Sequence, residues 1–255
     1  MYMKLNYFDL LSPNPIQAPN AGGILSPTLR SISSVGYNTY QHYLSVILTH
    51  PAFCGTADGG EDTFFLLSEQ EKLNCIFEML GANEPYAALL QKALNFFFRE
   101  TVTYAPGYQG FSVQSDNRLI GLVTKENYPE VCDVIRQRNH IEIPQKEDLS
   151  KVKSKKAMEI VKKLQAGRKE KSTHAQPNLN MELGNIISAV ANKSLSLNPL
   201  NIWDLTIYQL WDSFARISNN NIYDMQLLST AVWGDKDHHF DAAMWFKKPP
   251  SAGYD

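Results

Sequence analysis

With 255 residues, 44% of them hydrophobic and 20% charged, the chain has a globular composition and the length of one large or two ordinary domains. Its net charge of −2 is uneven: residues 151–171 hold nine Lys/Arg and two Asp/Glu, a local +7 that leaves −9 elsewhere, which speaks against a general nucleic-acid binder. Three widely spaced cysteines, an opening without a signal-length apolar run and the lack of any 18-residue apolar stretch set aside a zinc ribbon, a secreted disulfide scaffold and a membrane span, and point to the cytoplasm.

Residues 1–34 are punctuated by Pro, Gly, Ser and Asn and read as an extended arm. Phe8, Leu10, Leu11, Ile16, Ile24 and Leu25 would pack it onto the domain or a neighbouring subunit. Val35–Leu48 carries Tyr40, Tyr43, Leu44 and Ile47 at helical spacing. The Gly-rich run 55–60 lacks the Gly-Lys-Ser/Thr ending of a phosphate loop and reads as a connection. Ser68 and Glu71 form a capping box for a helix through Leu73, Ile76, Phe77 and Leu80, with Gly81 placed to end it. A second helix follows Asn83, with Pro85 in its first turn, and buries Leu90, Leu94 and Phe97. The period then drops to two. Thr101–Tyr104, Phe111–Gln114 and Leu119–Val123 read as an antiparallel meander, with Asp116-Asn117 as a hairpin turn. Thr124 is expected to cap a helix that buries Val131, Val134 and Ile135.

The stretch 149–180 reads as a basic helical connector, with Lys155, Lys156, Lys162, Lys163, Arg168 and Lys169 as its candidate contact residues. A solvated spacer is one reading and a contact with phosphate or an acidic partner the other. Beyond it, Met181–Ala191 is helical. Thr206 and Gln209 make a capping box, and Leu205 with Leu210 a hydrophobic staple. Ile207, Leu210, Trp211, Phe214 and Ile217 share one face. Asn219-Asn220-Asn221 is expected to end that helix, and Tyr223–Trp233 to form another that stops at Gly234. The chain closes with the aromatic segment Phe240–Phe246. The fold class expected is therefore α+β, mainly helical. An arm (1–34), a mixed domain (35–148), the connector (149–180), a helical domain (181–247) and a tail (248–255) make up the expected domain plan.

Chemistry is thinly signposted. Asp235–Asp241 offers two imidazoles and three carboxylates, but neighbours in sequence such as His238 and His239 usually point apart, so a solvated turn is the plainer reading. Cys54 and Cys132 have no histidine among His42, His50 and His140 at a nucleophile's spacing. No catalytic residue, metal or cofactor is expected. All four tryptophans fall after position 200, and large aromatics at the edges of elements are common binding anchors.

The run Asn201–Ile217, followed by Tyr223-Asp224-Met225, Gly234 and Trp245-Phe246, resembles tail assembly chaperones of long-tailed phages and prophages of Gram-positive bacteria. The resemblance implies a non-enzymatic, largely helical protein of the infected host cytoplasm. Such proteins bind the helical tape-measure protein before the tail tube forms around it. Trp203, Tyr208, Trp211, Tyr223, Trp233, Trp245 and Phe246 would be the partner-binding residues. Self-association is compatible with that role, whereas nucleic acid and membrane are not expected partners. A virion structural protein of the tail or baseplate, or a phage-encoded inhibitor of a host protein, are the alternatives.

Overall fold

The computed structural model describes residues 3–48, 69–141, 181–235 and 240–248. Among them, eight α-helices surround two small antiparallel sheets, which makes the fold α+β and mainly helical. The helices are α1 (Tyr7–Leu11), α2 (Leu29–Val35), α3 (Tyr37–Leu48), α4 (Glu69–Ala82), α5 (Glu84–Phe97), α6 (Tyr128–Arg138), α7 (Leu183–Lys193) and α8 (Ile207–Trp233). The strands are β1 (Ile16–Ala18), β2 (Gly22–Ile24), β3 (Thr101–Ala105), β4 (Gly110–Ser115) and β5 (Arg118–Val123).

The β3–β4–β5 meander forms where the period of two predicts it. Asp116 and Asn117 both take positive φ, 50° and 61°, as a two-residue hairpin of the twist-matched type requires. The β3 edge is closed by α5: Asn95 exchanges two hydrogen bonds with the backbone of Val102, and Gln91 accepts from the Tyr104 N–H at 2.7 Å. Two amides one helical turn apart thus stand in for a neighbouring strand. On the other side, the Leu122 N–H donates to the Asn20 carbonyl at 2.8 Å. That approach needs Gly121, since a Cβ there would sit 2.6 Å from the same carbonyl.

Four local expectations are corrected. Residues 1–34 are not merely extended: they hold α1, the β1–β2 hairpin and most of α2, whose N-cap Thr28 accepts from the Ser31 N–H. Gly81 does not end α4; it lies inside a helix that runs one residue further. The cap of α6 is Asn127, whose side chain accepts from the Thr124 N–H instead of the reverse. Asn219–Asn221 does not break α8, which runs 27 residues to Gly234 at φ 79°. Asparagine inside a helix costs only a few tenths of a kcal/mol (about 0.5–0.7) relative to alanine, less than nucleating a second helix. Ser68, the 55–60 loop and the whole connector lie outside the described residues.

The buried side chains do not divide along the expected domain plan. Leu5, Leu10, Ile24 and Leu29 of the N-terminal segment, Phe97, Val113 and Ile135 of the middle, and Leu183, Ile186, Ile207 and Leu210 near the C-terminus belong to one core. Backbone bonds join its ends directly: Leu29 N–H donates to the Leu205 carbonyl and Ile207 N–H to the Pro27 carbonyl, both at 2.9 Å. The Arg30–Asp204 ion pair beside them is exposed on both sides and contributes little.

The N-terminal segment is held from two directions. Arg138, the last residue of α6, is 0% exposed. Its guanidinium donates to the carbonyls of Asp9 (2.6 Å), Ser12 (2.8 Å) and Asn14 (2.9 Å). Burial pulls its pKa down to about 10, which leaves it cationic at neutral pH. Next to it, Gln137 accepts from the Leu5 N–H and donates to the Met3 carbonyl. From the other side, Gln209 of α8 donates to the Leu11 carbonyl, and Tyr7 bonds Asp212 and Arg216.

Replacing Arg138 by alanine leaves three sequestered carbonyls without a donor. Arg138→Ala is expected to cost about 3 kcal/mol or more of unfolding free energy in urea titration, and to open Lys4 to trypsin before the core unfolds. Arg138→Lys, unable to fork, should recover only part of the loss.

Candidate functional site

The C-terminal end of α6 also builds the floor of an open groove. Asn139 follows Arg138 and accepts from the Tyr40 hydroxyl of α3 at 2.9 Å. Burial raises the pKa of that tyrosine, so it stays a donor. His140 then turns back with φ 57°, a left-handed conformation. Its ring stacks on Trp211 at 6.1 Å between centroids and leans on Tyr208 at 5.3 Å. Both belong to α8, so α3, α6 and α8 are locked around one cleft.

That groove has a volume of about 590 Å³. Tyr37, Tyr40 and Leu44 of α3 form one side; Ile207, Trp211, Phe214 and Ala215 of α8 form the other. Asn139, His140 and Ile141 make the floor, and Met181 and Leu183 close one end. Aromatic and aliphatic surface dominates, with a few amide and hydroxyl groups between, the usual make-up of a binding cleft. Tyr37 and Met181 are exposed at its rim.

The groove continues along α8. Ile207, Trp211, Phe214 and Ser218 follow one another at intervals of three and four, and Ile222, Met225 and Val232 extend the same face. Only Ile207, Tyr208 and Leu210 of this helix are fully buried. At 1.5 Å per residue it is about 40 Å long, and from Ile222 outward its apolar side chains stand in solvent: Met225 is 65% exposed, Leu228 67% and Trp233 78%. The opposite face is occupied. It carries Asp212 and Arg216 against Tyr7, and Tyr223 against Phe240 at 5.6 Å.

The structure separates the aromatic residues that sequence reasoning grouped together. Trp211 is half-buried in the groove wall, while Tyr208 is 1% exposed and belongs to the core. Trp203 is half-buried away from the groove lining, and its indole N–H donates to the Pro199 carbonyl at 2.9 Å. Tyr223 is half-buried under Phe240. Trp233, Trp245 and Phe246 are exposed, and the last two pack edge to face at 5.2 Å. The candidate contact residues of the basic connector lie outside the described residues. Sequence reading missed Tyr37, Asn139, His140 and Phe214 as a group, because they come from three helices and share no spacing.

Chemistry is less concentrated. Among the described residues no three His, Cys, Asp or Glu side chains are placed to hold a metal ion. Positions 236–239 of the Asp235–Asp241 cluster are not described; Asp235 accepts from the Phe240 N–H and Asp241 pairs with Lys247. Cys132 sits beside the Ile47 carbonyl at 3.5 Å, and burial pushes its thiol up to about 12. A second cleft, between α4 and the meander, is lined by Phe77, Glu78, Tyr104, Tyr108 and Lys125.

Residues 169–249 match the family model described as YomV second domain, a phage-type protein family, and the match supports a phage origin. The matched stretch includes α7, α8 and the closing turn Met244–Phe246. No curated protein and no solved structure matches the chain. Among the described residues no helix is long and apolar enough to cross a membrane.

A thiol raised to about 12 is almost wholly protonated at pH 8. Alkylation of the native protein with iodoacetamide at that pH is therefore expected to leave Cys132 unmodified in peptide mass mapping, and unfolding should release it.

Proposed function

We propose that this phage protein acts by holding an amphipathic helix of a long helical client, as a tail assembly chaperone holds a tape-measure protein. The observation that carries the reading is the apolar track on α8. It begins in a groove with aromatic walls and runs on, uncovered, toward the end of a 27-residue helix. A helix laid into such a groove docks through side chains at i, i+3, i+4 and i+7, and the track offers apolar contacts at the matching repeat. Tyr37 and Trp211, on opposite walls, are the anchors of the client site. The phage-type family match over α7 and α8 is consistent with that role.

The groove is also preformed. His140, Tyr40 and Trp211 are fixed by ring contacts and a buried hydrogen bond, so little side-chain freedom is lost when a client enters. Binding through shape and apolar surface suits a client that must later be released to the tail tube, since such contacts need no covalent or titrating step.

The test uses co-expression with helical segments of a tape-measure protein. Tyr37→Ala with Trp211→Ala is expected to weaken capture about tenfold or more while far-UV circular dichroism stays unchanged. Lysine-to-glutamine replacements at Lys155, Lys156, Lys162 and Lys163 should leave capture largely intact. Stoichiometric presence of the protein in purified virions would sink the chaperone reading and favour a structural role in the tail.

A further inference from the structure

The outer half of α8 carries the repeat of its inner half onward into solvent. Ser218, Ile222, Met225, Ser229 and Val232 follow at intervals of four, three, four and three, the seven-residue pattern of a coiled-coil seam. All five are exposed, and the helix is continuous through them. We propose that this seam pairs with a second copy of the chain, as an antiparallel, two-fold helix pair over residues 218–233. Ser218 also lines the groove, and the seam is the outer stretch of the α8 track proposed for the client, so the two occupants compete there; the groove anchors Tyr37 and Trp211 lie outside the seam, and dimerisation is read on the chain alone.

Three observations select a second copy as the occupant. The first is steric self-complementarity. A two-fold axis at position 227 sets Ile222 against Val232 of the second copy and Met225 against its Ser229. Each large methionine meets a small serine, and every layer recurs through the symmetry. A parallel pair would stack Met on Met and Ser on Ser. The second is charge. Asn221, Gln226, Leu228 and Trp233 flank the seam and are all neutral, and the one charged residue between 218 and 233, Asp224, lies off it. Nothing repels a like helix. The third is area. Ile222, Met225, Leu228, Val232 and Trp233 are 38% to 78% exposed. At about 150–250 Å² per large side chain they present on the order of 600 Å². That is the upper end for a monomer's largest apolar patch, and two copies together reach about 1,200 Å², where stable specific interfaces begin.

Sedimentation velocity of the full chain between about 5 and 100 µM is expected to show reversible dimerisation, with a species at twice 28.8 kDa. Met225→Glu and Ser229→Lys should each weaken the dimer about tenfold or more without changing far-UV circular dichroism. Mixing the two variants should restore a 1:1 dimer, because one central layer then pairs the introduced carboxylate with the introduced ammonium while the other keeps its native Met–Ser contact. A wild-type chain that stays monomeric throughout, single variants that dimerise like the wild type, or a mixture no tighter than either variant alone would overturn the proposal.

Discussion

Four consecutive side chains at the end of α6 hold four separate stretches of the molecule. Gln137 reads the backbone at Met3 and Leu5, Arg138 gathers three carbonyls between Asp9 and Asn14, Asn139 receives the Tyr40 hydroxyl, and His140 stacks on Trp211. Arg138 is the costly member, because a guanidinium removed from water must find acceptors for its protons. Backbone carbonyls supply them for both terminal nitrogens without a buried carboxylate, and only Nε is left without a partner. The N-terminal segment has to lie where it does for that charge to be tolerated, and the charge has to be there for those carbonyls to be satisfied. Fold and arm are therefore mutually conditional.

From that node the groove follows as a by-product of assembly. α3 and α8 are both tied to the end of α6, through Tyr40 on Asn139 and Trp211 on His140, and their facing apolar side chains line opposite sides. The space left between them is the cleft. The segment matching the phage-type family model shares this dependence. Its long helix buries only Ile207, Tyr208 and Leu210, and it packs against α7 and the closing turn as well as against the N-terminal segment.

Much of the architecture was legible because it is set by local chemistry. The meander, the α5 cap and the Thr206–Gln209 box each rest on residues within a few positions of one another, and each is present. The end of α8 was misread because asparagine's tolerance for left-handed backbone was weighed without the competing cost of starting a new helix. The role of the first 34 residues was hidden for another reason: their partners, Gln137, Arg138, Gln209 and Asp212, lie more than a hundred positions away. The aromatic cluster was legible as composition but not as placement. Nothing in the local pattern says that Tyr208 points into the core while Trp211, three positions on, lines a wall.

The geometry of α8 makes it a cantilever. It is clamped over its first three turns by the core, the Tyr7–Asp212–Arg216 contacts and the His140 stack, and it reaches past the core over its last four. A load applied near Trp233 acts on the clamp through a long arm, with the Tyr223–Phe240 ring contact lying between them. A rigid rod of this length turns a small rotation at its clamp into a larger displacement of its outer surface.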